Sequence, residues 1–162
     1  MMPAIRLFTA MVLVANGAYA STSIYGTEFD YRKARPAVEF FAGKSRSKIA
    51  SYCRKEMLST MDLSACAQFH YEESVAALNA EIAKIEVVTR DSDRERKANA
   101  EPEALPYLRS AQRSWVIYRD NECYSETYQA GLASLHFIYF WDCMNRITKA
   151  RLKELTTPDG EE

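Results

Sequence analysis

Apolar residues recur along this chain at three- and four-residue steps in three separate runs. The first comprises Leu63, Cys66, Phe69 or His70, Ala77 or Leu78, Ile82 and Ile85. Such steps return a side chain to one side of an α-helix, so the stripe predicts a helix with one buried face. Ser59 or Thr60 can cap its free N–H groups, Asp62 adds charge in the first turn, and the pattern carries to about Thr89. Glu72, Glu73, Glu81, Lys84 and Glu86 fall on the outer, solvated face. The second run starts near Pro106, a residue suited to the first turn of a helix. It aligns Leu108, Ala111 or Gln112, Trp115, Tyr118 or Arg119, and Glu122 or Cys123. The third begins near Ser134 or Leu135 and passes through Ile138, Trp141 or Asp142, Ile147 or Thr148 and Leu152 to Leu155. No strand-period alternation of useful length appears. The pattern therefore predicts an all-α bundle of three principal helices with short antiparallel connections.

The segments between these runs are polar. Residues 90–102 contain almost nothing but charged and small polar side chains, and Pro102 and Pro106 each disfavour helix in the residue before them. This stretch reads as frayed helix passing into a solvated connector. Gln129 to Ser134 reads as a turn between the second and third helices. Residues 21–46 form an irregular arm, in which Val38 to Phe41 either pack on the bundle or begin a short strand. Gly43-Lys44-Ser45 resembles the end of a phosphate-binding loop, but Val38 stands where that motif needs glycine.

The first twenty residues carry the marks of an export signal. Arg6 provides a positive start, Leu7 to Ala15 a short apolar run, and Ala18-Tyr19-Ala20 a small-x-small cleavage site before Ser21. The rival is an uncleaved membrane anchor, but a bilayer span needs about 20 apolar residues, twice what is present, so cleavage is favoured and no membrane span is expected after it. Serine at position 21 disfavours lipid anchoring there. Removing residues 1–20 takes away Arg6 and no acid, leaving 20 Lys+Arg against 22 Asp+Glu, a formal charge of −2. That balance lacks the basic stripe of a nucleic-acid binder. The expected organisation is a signal peptide over 1–20, an arm over 21–52, one helical domain over 53–156 and a tail over 157–162, in a periplasmic or secreted protein.

Four cysteines in an exported chain point to two disulfides. Three pairings are possible, and the short-range closures Cys53–Cys66 and Cys123–Cys143 are preferred; each stabilises by roughly 3 kcal/mol in the chain-entropy model. A zinc site would draw on close cysteine pairs, which are missing, and neither a metal nor a cofactor is expected. His70 and His136 have no metal-ligand spacing and read as packing and surface residues. Nucleophile motifs are absent apart from an isolated Ser45-Arg-Ser-Lys48, and oxidised cysteines leave no thiolate. Catalysis is not expected. Trp115, Arg119, Asp120, Thr148 and Arg151 read as helix-packing and ion-pairing residues, with the Arg119 stem on tryptophan and its head toward backbone or Asp142. Phe137 to Trp141 exceed what one buried face needs. Burial against residues 38–52 is the favoured reading; an exposed patch for a partner is the other.

In order, the chain presents Cys53, Thr60-Met61, Cys66, Leu78-Asn79, Leu108-Arg-Ser-Ala-Gln112-Arg-Ser-Trp115, Tyr118-Arg119-Asp120, Cys123, Cys143, Thr148, Arg151 and Leu155. Over residues 53 to 155 this series resembles the LprI-type lysozyme-inhibitor family of small exported bacterial domains. The resemblance implies an exported helical domain that binds and inhibits lysozyme. The shared residues are scaffold, so they imply no inhibitory side chain. The chain departs in its longer arm before Cys53 and in a turn reduced to Gly131 and Ser134. An Arg or Lys on a protrusion would suit the acidic cleft of a lysozyme, and Arg90 to Lys97 and residues 129–136 are the protrusions this reading offers. The alternative is a structural or adaptor module for an envelope partner.

Overall fold

The computed structural model describes residues 30–131 and 135–157. The signal segment, the centre of the turn after Gly131 and the tail beyond Thr157 lie outside these. Five helices follow a 3-10 turn at Tyr31–Lys33: α1 (Ala37–Phe40), α2 (Arg46–Tyr52), α3 (Thr60–Ala98), α4 (Leu105–Ala130) and α5 (His136–Thr156). No strand occurs among the described residues. The three long helices make a disulfide-stapled bundle, with α5 as the shared partner of α3 and α4.

The start of α3 is fixed by a reciprocal cap. Ser59 Oγ accepts the Asp62 N–H at 3.2 Å, while the Asp62 carboxylate accepts the Ser59 N–H at 3.2 Å. Cys66, Phe69 and Leu78 are the buried members of its stripe, whereas Leu63 at its beginning and Ala77 are exposed. On α4 the inward choice is Arg119, not Tyr118, and on α5 it is Trp141, not Asp142. Ile147 and Thr148 are both buried, and the Thr148 hydroxyl finds no hydrogen-bond partner among the described residues.

Beyond Thr89, where frayed helix passing into a connector is expected, the helix continues regularly as far as Ala98. The reason lies in Asp93, a buried carboxylate without apolar neighbours in sequence. Its two oxygens accept the N–H groups of Ala104 and Leu105, each at 2.8 Å, so α3 itself caps the first turn of α4. Those hydrogen bonds hold the Asp93 carboxyl below the usual aspartate range. Ion pairs one turn apart, Arg94–Asp91 and Arg96–Asp93 among them, support the exposed last turns. Ala100, at φ 56°, reverses the chain in the left-handed region.

Residues 30–52 are more ordered than their pattern suggests, because helices of four and seven residues are too short to display a period. Residues 38–40 are helical, Phe41 caps that helix, and no strand forms there. The Ala37 N–H donates to the Glu72 carboxylate at 2.9 Å, and Gln68 Nε2 donates to the Arg35 carbonyl at 2.6 Å. Ala37, Phe41 and Ile49 then close a second small core over Ala65, Cys66 and Phe69 of α3. The disulfides join Cys53 to Cys66 and Cys123 to Cys143, each with a Cα–Cα distance of 5.5 Å. The first ties the arm core to α3, the second ties α4 to α5.

Candidate partner-binding face

Three of the sequence-selected residues meet in one buried cluster. Arg119 on α4 is 5% exposed. Its guanidinium folds back along the helix to its neighbour, with Nε 3.0 Å and Nη2 2.7 Å from Asp120 Oδ1. The Tyr31 hydroxyl donates to Asp120 Oδ2 at 2.6 Å and accepts from Arg119 Nη2 at 3.2 Å. The cation also lies over the Trp115 and Tyr71 rings, 5.2 and 5.4 Å from their centroids. Asp142 is not its partner, contrary to expectation, because the buried side of α5 here is Trp141. Burial, then the hydrogen bond to Asp120, raises the Tyr31 hydroxyl, and burial pushes Tyr71 up to about 12. Both rings therefore stay neutral, leaving Arg119 and Asp120 as the charged pair among these four. The cluster latches the arm to α4. Thr148 and Arg151 lie elsewhere on α5, where Arg151 pairs with Glu154 at 2.8 Å.

A groove of about 590 Å³ runs between the arm, the start of α3 and the start of α5. Phe40, Met61 and Phe137 line it, with Arg35, Glu39 and Gln68 supplying polar groups. Phe40 is 47% and Met61 71% exposed. The groove can accept an apolar side chain or a ring edge while its polar groups remain wet. Of the aromatic run on α5, Phe137 alone lines it. Phe140 and Trp141 are buried against Tyr31 and α3 or α4 rings, so their cover comes from the front of the arm and not from residues 38–52. Met61 and Phe40 come to line one groove only when three segments converge, which no pattern in the sequence reveals.

The basic run at the end of α3 offers little for recognition. Arg90, Arg94, Arg96 and Lys97 each pair with a nearby carboxylate, at 3.9, 3.2, 3.9 and 3.7 Å. Turn residues 132–134 lie outside the described part. No group of three or more metal-capable side chains occurs among the described residues.

His70 on α3 is half-buried and faces Glu73 on its own helix and Asp142 and Lys149 on α5. Burial first, then Lys149, lowers its pKa from the ordinary 6.5, with Asp142 and Glu73 opposing. A base whose folded value is depressed stabilises the fold above its unfolded value and loses that contribution as pH falls through it. Urea unfolding of the wild type should therefore weaken from pH 7.5 to 5.5 more than that of His70→Gln. Parallel loss in both proteins would remove His70 from the account.

The family described as Lysozyme inhibitor LprI matches residues 53–155, from the first cysteine to the last turn of α5. A protein of Rhizobium meliloti (strain 1021), described as uncharacterised, is 32% identical over 105 residues, which are 64% of this chain and 75% of that protein. No solved structure matches.

Proposed function

The chain belongs to the LprI lysozyme-inhibitor family, and from that premise we propose that it is an exported cell-envelope protein that binds and inhibits lysozyme. The family match carries this reading, since it spans both disulfides and all three long helices. Cysteines paired throughout the described residues suit an oxidising compartment. The signal-like residues 1–20 support export with cleavage before Ser21, leaving an arm over 21–52, a helical domain over 53–156 and a tail. No helix among the described residues is long and apolar enough to cross a membrane. We read the protein as a binder and not as an enzyme.

Inhibition requires that something cover the sugar cleft of the lysozyme. The paired charges at the far end of α3 are poor candidates, because freeing an arginine there would break an existing ion pair. The end carrying the groove is better suited, with Phe40 and Met61 as exposed anchors. The same anchors favour a second reading, an adaptor that holds another envelope protein.

The test is lysozyme turnover on cell-wall substrate, titrated with oxidised mature protein. Stoichiometric inhibition, lost on reduction and alkylation and weakened by Phe40→Ser with Met61→Ser, is expected. Full turnover with chicken-type, goose-type and invertebrate-type lysozymes alike would overturn the inhibitor reading and leave the adaptor.

A further inference from the structure

Charge is unevenly placed in this protein. Residues 30–58 hold eight Lys and Arg against three acids, although the whole chain has a formal charge of −1. Between Gly43 and Lys55 there are five basic residues and no acid. Arg46 reaches Glu73 on α3, and Arg54 donates to Ser51 Oγ at 3.1 Å. The other three, Lys44, Lys48 and Lys55, line one surface depression of about 520 Å³ together with Ser47, Ser51 and Tyr52. None of the three forms an ion pair among those found in the described residues.

The depression stands on a fixed platform. Ile49 on α2 is fully buried and the adjoining Cys53 is bonded to Cys66. The Tyr52 hydroxyl donates to Asp62 at 2.9 Å, which holds its ring beneath two ammonium groups, Lys55 Nζ at 4.7 Å and Lys44 Nζ at 5.5 Å from the centroid. Asp62 feels the charge of Lys44, yet its oxygens are already taken by Tyr52 and the Ser59 cap. Three cations gathered on a rigid base repel one another until an anionic partner arrives.

The openness of the site selects the partner. The three lysines and both serines are exposed, and an exposed contact to one small ion is worth little. A sheet of phosphates engages all of them together. Met57, two residues beyond Lys55, is 92% exposed. Basic groups next to a bare apolar side chain fit a bilayer interface, which takes up both.

We propose that this end of the bundle docks on an anionic phospholipid surface, with headgroup phosphates held by Lys44, Lys48 and Lys55 and by the hydroxyls of Ser47 and Ser51. The proposal is independent of lysozyme inhibition. It is tested by co-sedimentation of the mature, oxidised protein with phosphatidylglycerol–phosphatidylcholine vesicles and with phosphatidylcholine vesicles alone. Binding should require the anionic lipid and fall with added salt. K44Q/K48Q/K55Q should lower the partition coefficient about a hundredfold, at about fivefold per lysine. The triple variant K84Q/K149Q/K153Q, with the same net charge but changes on α3 and α5, should bind as wild type. Equal losses in the two triple variants, or equal binding to both vesicles, would overturn the proposal. So would displacement by inorganic phosphate at an ionic strength where chloride has no effect, since that would make the site a single-ion pocket.

Discussion

Asp120→Ala should cost about 3–5 kcal/mol of unfolding free energy, the usual penalty for stranding one member of a buried ion pair. Arg119 can neither leave its site nor lose its proton, so the guanidinium would remain between the Trp115 and Tyr71 rings without its carboxylate. Tyr31 would lose the acceptor of its shortest hydrogen bond, and with it the latch of the arm. Urea denaturation with far-UV detection reads the loss directly. Arg119→Met combined with Asp120→Ala should recover part of it, because the double variant buries no unmatched charge. A single variant within about 1 kcal/mol of wild type, the range of exposed pairs, would mean that water reaches the cluster and that its burial has been misjudged.

The second large effect belongs to the disulfides. Closing loops of 13 and 20 residues contributes roughly 3 kcal/mol each in the chain-entropy model. Together they are comparable with the whole stability of a small domain, about 5–15 kcal/mol. Reduced and alkylated protein should therefore lose its near-UV circular dichroism at physiological temperature. The two bonds should also yield in order. Cys123 and Cys143 are both buried, whereas Cys53 is partly exposed, so mild reductant should open Cys53–Cys66 first. Timed alkylation with mass mapping checks this. Early labelling of Cys123 would contradict the order.

Periodicity located α4 and α5 almost to the residue because each has an apolar stripe bounded by proline, glycine or a turn. It failed at the end of α3, where Arg90 to Lys97 contain no apolar residue. What sustains helix there is Asp93, a carboxylate that reaches the backbone of the next helix, and hydropathy is blind to a side chain buried for its acceptors. The same blindness left Tyr118 and Arg119 undecided. Arginine faces inward because Asp120, Tyr31 and two rings satisfy it, and one of those, Tyr31, lies almost ninety residues away. In the sequence Lys44 stands only in a failed phosphate loop, Lys48 only in an isolated Ser45-Arg-Ser-Lys48 and Lys55 in neither, though a composition count over residues 43–55 draws attention to all three. Phe137 was legible as surplus aromatic surface. Its groove was not, since one wall comes from residues 35–40, which show no period, and another from Met61, Ser64 and Gln68, which fall outside the stripe of α3.

The hydrogen bond from Ser74 to Asn145 sets α3 and α5 side by side. From that register the last turn of α5 stands level with about residue 85 of α3, which is why Val87 and Val88 beyond it are bare. The final dozen residues of α3, with the opening of α4, thus form a two-helix rod extending about 20 Å past the stapled body at 1.5 Å per residue. Its stiffness depends on the Asp93 cap and the Arg109–Glu86 pair, at 2.9 Å, and on no contact with a disulfide. The turn at its tip is accordingly the place where a reporter loop or an inserted epitope could be spliced in while the cross-linked core folds as before.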